Sequence, residues 1–406
     1  NNKWAMFPSV SLAWRISEEK FMEEQSVFQD LKLRIGYGQS GNQNIDPYTS
    51  QRLYGPQSSQ FMYNGEWINS YGVSQNPNPD LKWETTAMTN IGLDYTIWEG
   101  RVSGTLDFYN KETKDMLYKY NVPSPPYQYN QLLANGASMT NRGVEFMVNV
   151  VAVDRPDFSW TTNFNVAYNK NEIGSLDSNV DNLSISERYE GTMYLEGWTA
   201  QTVSIVKPGL PIGTFYTYKY MGYDAKQQKT LYENAAGEIV TIDKLKSPDD
   251  YQVVGSALPK VTFGWNNTFR YKRWDLNFFL RGVTGNKIFN ASRADLSRLT
   301  QAAICNISHE AVEDGIMEAP QPSSRWLENG SFLKLDNVTL GYQFDTEKMP
   351  GINNLRVYIT GQNLFTITKY TGIDPEVSLS GLAPGIDNRN YYPKTRSFLL
   401  GVNISF

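Results

Sequence analysis

Eleven stretches of this chain alternate apolar and polar residues with a period of two, and the links between them alternate short and long. The stretches lie at about 5–16, 30–38, 82–98, 101–111, 139–151, 157–169, 258–271, 274–284, 331–344, 354–367 and 394–406. A period of two puts the two residue sets on opposite faces of a β-strand. In 82–98, Trp83, Ala87, Ile91, Leu93, Tyr95 and Ile97 oppose Glu84, Thr86, Asn90, Asp94 and Thr96. In 157–169, Trp160, Phe164, Val166 and Tyr168 oppose Thr161, Asn163, Asn165 and Asn169. In 331–344 the phase slips at Asp336–Asn337, where a β-bulge restores a common face. The last stretch runs through Phe398, Leu400, Val402 and Ile404 and stops on Phe406. Taken singly, such a strand suits a soluble sandwich, apolar face inward, as well as a membrane barrel with that face toward lipid.

The links separate the two. Those at 17–29, 99–100, 152–156, 272–273 and 345–353 are short; those at 39–81, 112–138, 170–257, 285–330 and 368–393 are long. An up-and-down membrane barrel has short periplasmic turns and long extracellular loops, whereas a sandwich has no reason for the alternation. The parity sends the last strand downward and places Phe406 at the periplasmic rim. The apolar faces quoted above carry no Arg or Lys, either of which costs about 2–4 kcal/mol at mid-depth toward lipid. Trp83, Trp98, Tyr271, Trp274, Tyr342 and Phe344 cluster at strand ends, as interfacial girdles do. The expected fold is therefore all-β: a transmembrane antiparallel up-and-down β-barrel with long extracellular loops. "GTFYTYKYMGYDA" (213–225) is also strand-like, but counting it would break the alternation. It is assigned to a small hairpin domain inside a large extracellular insertion at about 170–257.

Composition narrows the function. Mean hydropathy is −0.48, and no apolar run approaches the roughly 20 residues of a membrane helix. The net charge of −5 argues against a nucleic-acid partner. The single cysteine, Cys305, and single histidine, His309, fall well short of the about four ligands of a structural metal site, so no metal or cofactor is expected. A glycoside hydrolase needs two carboxyls roughly 5–9.5 Å apart across a cleft. The adjacent pairs Asp249/Asp250 and Glu187/Glu190 do not supply that, and the chain is not expected to be an enzyme. A passive porin has no need of such long loops, and a soluble glycan-binding protein would leave the link pattern unexplained.

Several stretches resemble the SusC/RagA-like family of TonB-dependent outer-membrane transporters. They include "LKLRIGYGQSGNQNIDPY" (31–48), "NPDLKWETTAMTNIGLDY" (78–95), "GSALPKVTFGWNNTFRYKRWDLNFFLRGVTGN" (255–286), "LRVYITGQNLFTITKYTGIDPEV" (355–377) and "YYPKTRSFLLGVNISF" (391–406). The resemblance implies a 22-stranded barrel, of which residues 1–406 are the C-terminal eleven strands. The N-terminal plug and first strands are then not in this chain. That agrees with the odd strand count, since single-chain bacterial barrels close with even numbers. It also implies an outer-membrane location in a Gram-negative bacterium, a SusD-like lipoprotein lid, the TonB complex acting through the missing N-terminal region, and dimerisation of transporter–lid pairs. The cargo implied is an oligosaccharide, with an oligopeptide as the alternative. Phe406 would then serve as an assembly signal. Many relatives carry a calcium-loop-like stretch before "GSALPK"; "TIDKLKSPDDYQVVG" lacks the regular Asp spacing such a loop needs, leaving Asp243, Asp249 and Asp250 as a weak grouping. Candidate contacts to cargo or lid are the loop aromatics Trp67, Tyr71, Tyr127, Tyr129, Trp198 and Trp326, with aromatic packing inside the loops as the alternative.

Overall fold

The structure, a computed structural model, describes residues 4–178, 180, 185–193, 201–388 and 392–406. Eleven strands form one antiparallel sheet in chain order, each paired with the next. They are β1 (Ser9–Arg15), β2 (Phe28–Asn42), β3 (Glu84–Ile97), β4 (Val102–Asn121), β5 (Gln131–Arg155) and β6 (Phe158–Ser175). β7 (Val261–Tyr271), β8 (Trp274–Thr284), β9 (Phe332–Gln343), β10 (Asn354–Thr368) and β11 (Ser397–Ser405) complete it. All eleven expected strands are present, and no helix among the described residues is long and apolar enough to cross a membrane.

Cross-strand register explains why one face of this sheet is apolar from edge to edge. Leu12 pairs with Ile35, Ile35 with Ile91, Ile91 with Phe108, Phe108 with Val144, Val144 with Tyr168, and Tyr168 with Val261. Further round, Leu276 pairs with Leu340, Leu340 with Ile359, and Ile359 with Leu400. Leu12, Ile35, Ile91, Phe108 and Leu400 all remain exposed, as a lipid-facing row requires. Two polar side chains on the same face, Thr162 and Asn267, are shielded. Trp265 Nε1 donates to Thr162 Oγ1 at 2.8 Å, and Trp160 Nε1 donates to Asn267 Oδ1 at 3.1 Å, leaving Asn267 1% exposed. At the short-link end Trp274 packs on Tyr342 and Tyr342 on Phe344, with ring centroids 4.8 and 4.9 Å apart. This is one interfacial girdle.

The bulge at Asp336 is present: Phe279 faces Asn337 and Leu280 faces Leu335, so Asp336 is the extra residue. Leu335 and Val338 thereby share the outer face. The freed Asp336 carboxylate accepts a 2.7 Å hydrogen bond from Arg281 Nε.

Two expectations need correction. The link expected at 112–138 is only 122–130, because β4 and β5 run on as a projecting hairpin. Its register shifts between Thr113 and Leu117, and beyond that point it buries Tyr118, Tyr120, Leu132 and Ala134 against loops rather than lipid. Burial by tertiary contact leaves no lipid-facing alternation to read. Segment 213–225 lies in the insertion as expected, but it is not one strand. It breaks at Tyr218 into Thr214–Thr217 and Lys219–Asp224, which belong to different small sheets.

The long loops fold together above the sheet. Thr214–Thr217 lies in a four-stranded sheet with Gln252–Ser256, Ser204–Val206 and Arg188–Glu190. Lys287–Asn290 pairs with Leu327–Asn329 and, in parallel, with Ile386–Asp387. Their common core is Met193, Val203, Phe215, Ala257, Phe289, Ala291, Ala294 and Trp326.

The two faces should respond oppositely to charge. Val148→Arg, on the outer face at mid-depth, is expected to cost about 2–4 kcal/mol, whereas Asn149→Arg, one residue along on the inner face, should cost under about 1 kcal/mol. Equilibrium unfolding in lipid vesicles measures both; equal costs would mean the outer face does not meet lipid.

Candidate functional site

The inner face of the sheet is a wall of ion pairs that cross glycine gaps. Arg34 Nε donates to Asp94 at 2.9 Å while its Nη2 reaches Asp107 Oδ1 at 3.0 Å, spanning β2 to β4. Gly92 on β3 makes this reach feasible: a Cβ there would lie 2.3 Å from Asp107 Oδ1. Arg356 on β10 clamps Asp275 on β8 through Nε and Nη2, at 2.8 and 2.6 Å, over Gly341 on β9. Asp94 and Asp107 thus share Arg34, Asp275 is held by Arg356, and Arg281 pairs with Asp336. Glu84 accepts from Leu117 N at 2.8 Å and holds the start of the projecting hairpin.

One loop is tied down into this wall. Glu376, in the link 369–396, meets Arg281, Lys334 and Lys394 at 2.6, 2.6 and 2.7 Å. Burial alone would raise its carboxyl pKa. Hydrogen bonds from Arg281, Lys334 and Lys394 outweigh that and bring it down to about 2. Lys334 is 2% exposed, and its ammonium is buried against this carboxylate. The same link is held from above. Glu328 accepts from Thr371 N at 2.7 Å, from Asn290 Nδ2 at 3.0 Å and from Arg293 Nη1 at 3.3 Å. The Tyr370 hydroxyl donates to Asp387; burial first, then that carboxylate, raise the phenol pKa.

At the mouth, a hairpin of Leu53–Tyr63 and Glu66–Gln75 stands apart as its own two-stranded sheet. Trp67 faces Met62, Asn69 faces Gln60 and Tyr71 faces Pro56, so an aromatic, an amide pair and a second aromatic line one face. Gln60 Nε2 donates to Asn69 Oδ1 at 2.7 Å. Trp67 and Tyr71 are 64% and 73% exposed and stand roughly 13 Å apart along the strand. Isolated two-stranded hairpins are marginal in water, and this one is anchored by buried amides. Gln75 Nε2 donates to the carbonyls of Tyr48, Thr49 and Gln51. Asn76 accepts from Tyr129 N at 3.1 Å and donates to Gln131 O at 2.9 Å. Asn78 donates to Leu133 O, and Asn135 brackets Lys82 through both N and O.

Between the hairpin base and β4–β5 lies a cleft of about 520 Å³, lined by Asn44, Asp46, Gln75, Lys119, Tyr129 and Gln131 among others. It presents hydrogen-bond donors and acceptors, one charge of each sign and an aromatic ring. Such a surface can hold a neutral polyhydroxylated or amide-rich chain.

The six aromatic candidates separate here. Trp67 and Tyr71 share one face of the hairpin, and Tyr129 lines the cleft at its base. Tyr127 is half-buried in the 122–130 turn, its N–H donating to Pro123 O at 3.3 Å. Trp198 lies outside the described residues. Trp326 is corrected: it is 1% exposed, its Nε1 donates to Gln321 O at 2.7 Å, and it is the largest side chain in the cap core. A tryptophan filling a loop core looks like a binding tryptophan in sequence, and only packing tells them apart. The carboxylate pairs are also spoken for: Glu187 accepts from Lys207 and the Tyr189 hydroxyl, and Glu190 pairs with Arg188. Asp250 accepts from Ala235 N and Lys246 N, closing a loop, and those two bonds lower its pKa. Sequence reasoning missed the asparagines Asn76, Asn78 and Asn135. "NPNPD" at 76–80, proline-interrupted just ahead of a strand, was the available signal.

Residues 1–364 match the family model described as TonB dependent receptor-like, beta-barrel. The chain is 34% identical, over its whole length, to the TonB-dependent receptor SusC of Bacteroides thetaiotaomicron, covering 40% of that protein. It is 31% identical to the TonB-dependent receptor P26 of Formosa agariphila, again over its whole length, covering 43% of it. Among solved structures it superimposes on the RagAB peptide transporter with a TM-score of 0.81 and 27% identity, over 98% of this chain and 43% of the other. The chain therefore spans about two-fifths of the relatives it matches.

The Glu376 tie gives a pH-dependent outcome. A carboxylate whose folded pKa is lowered stabilises above its unfolded value, and that contribution fades as pH falls through the folded one. The tie should hold at pH 5 and above and weaken from about 4.5 toward about 2. At neutral pH, Glu376→Gln leaves Lys334 buried beside a neutral partner, at a cost of about 3 kcal/mol. Hydrogen exchange on the full-length protein should then quicken in 369–388 and stay unchanged in 53–75; unchanged exchange in both would show that the tie is not what holds the link.

Proposed function

Because the chain belongs to the TonB-dependent receptor-like β-barrel family, we propose that it forms the C-terminal eleven strands of the 22-stranded barrel of a transporter importing oligosaccharides in a TonB-dependent, energy-coupled way. The sheet lies in the outer membrane of a Gram-negative bacterium. The observation that carries the cargo reading is the exposed hairpin strip Trp67–Gln60/Asn69–Tyr71 above a polar cleft at the hairpin base. Flat aromatic faces stack on sugar rings, and the amides between them hydrogen-bond hydroxyls. A SusD-like lipoprotein is proposed to close over this mouth and hold cargo against the strip, and two transporter–lid pairs to associate. TonB would act through the N-terminal region that lies beyond these residues. Phe406, the last residue of the chain as given, is proposed as the assembly signal.

Oligopeptide cargo is the second reading, favoured by the likeness to a peptide transporter and by the opposite charges, Asp46 and Lys119, that both line the cleft. Both readings use the same strip, so substrate competition separates them. The complete transporter with its lid should bind an oligosaccharide ladder, and Trp67→Ala/Tyr71→Ala should weaken binding by about 2 kcal/mol, roughly 30-fold. Titration calorimetry with oligosaccharides and with oligopeptides measures it. Binding of peptides alone would replace the glycan reading, and unchanged binding in the double variant would remove the hairpin from the site.

A further inference from the structure

The outer wall of the barrel carries a feature that cargo import does not use. The apolar band on β3–β6 ends abruptly on the long-loop side. Above the row Ile91–Phe108–Val144–Tyr168 the next outward row is Thr89–Asn110–Arg142–Lys170, all four in direct cross-strand register. From Trp160 near the short links to Tyr168 is about 27 Å along the strand, or roughly 20 Å of height at the usual tilt, close to the lipid-facing band of such barrels. Arg142 and Lys170 therefore sit at the outer water–lipid boundary.

Two cations directly opposite each other on adjacent strands repel, and this pair is only half compensated. Lys170 Nζ lies 3.0 Å from Glu172. Arg142 has no carboxylate within ion-pair reach among the described residues. Its Nε donates to Asn110 Oδ1 at 2.8 Å, which orients the guanidinium and leaves its terminal nitrogens available. The nearest other outward charges, Glu112 and Lys114, are paired with each other at 3.2 Å. Directly below, the two rows enclose an open groove of about 400 Å³ whose floor is Ile91, Phe108, Val144 and Tyr168.

We propose that this groove binds a phosphorylated glycolipid of the outer leaflet, its phosphate on Arg142 and Lys170 and an acyl chain along Phe108 and Val144. Arginine's planar fork matches a phosphate, and charge complementarity at the boundary supplies the counter-ion that the cation pair lacks. A lipid is favoured over a soluble anion because the cations and the apolar floor form one continuous surface at membrane depth.

The test uses the full-length transporter, delipidated in mild detergent and titrated with bisphosphorylated hexa-acyl lipid A under native mass spectrometry. Lipid A should bind, and its dephosphorylated form should bind about tenfold more weakly or worse. Arg142→Gln/Lys170→Gln should lose about tenfold in lipid A affinity, and Arg142→Lys less. Both positions are exposed, and heat-modifiable gel mobility checks that the variants remain folded barrels. Equal lipid A binding by the folded double variant would overturn the proposal, as would equal binding of the dephosphorylated lipid. Displacement of lipid A by inorganic phosphate would overturn it in favour of a soluble-anion site.

Discussion

Every backbone N–H and C=O that enters hydrocarbon must find a partner in the protein, because no water is there to serve. The rest of this structure is arranged around that constraint. Eleven strands pair in chain order so that each ladder is satisfied by its neighbours in sequence, and side chains are left to do two separate jobs on two faces. Outward, apolar residues face one another across successive strands from Leu12 on β1 to Leu400 on β11. Where a polar side chain falls on that face, an indole covers it, as Trp160 does Asn267.

Inward, the same register builds a polar wall whose charges neutralise one another. Glycine at the crossing strand is what lets them meet: Gly92 beneath Arg34 and Asp107, Gly341 beneath Arg356 and Asp275. The bulge at Asp336 serves both faces, returning Leu335 and Val338 to lipid while handing a carboxylate to Arg281. Through Arg281 the wall continues into Glu376, and through Glu376 into the link 369–396. Scaffold and mouth are in this way one electrostatic unit. The exposed hairpin 53–75 is fastened differently, by backbone-directed amides at its base, so its aromatic strip is held out from the wall.

The strands, their order, their direction and the phase slip at Asp336 were all legible in the sequence. A membrane imposes a period of two on any strand whose outer face meets lipid, and the rule is local. Trp67 and Tyr71 were legible as loop aromatics, and their spacing of four put them on one face of whatever strand carried them. Beyond the membrane the rule lapses. The upper halves of β4 and β5 bury Tyr120 and Leu132 against loops, so nothing in their pattern announced a longer hairpin. Segment 213–225 read as one strand because the break at Tyr218 depends on partners, Ser323 and Ser324, that lie about a hundred residues away in sequence.

The sequence by itself determined the sheet: which residues face lipid, which face inward, and on which side the loops gather. Those follow from periodicity and from the cost of charge in hydrocarbon, which act residue by residue. Only the tertiary structure decided what the loops do with their aromatics and carboxylates. Trp326 became core, Tyr129 lined a cleft, Glu376 became a tie, and Arg142 was left beside Lys170 without a carboxylate partner among the described residues. Each of those outcomes rests on contacts between segments far apart in the chain, and no local pattern encodes them.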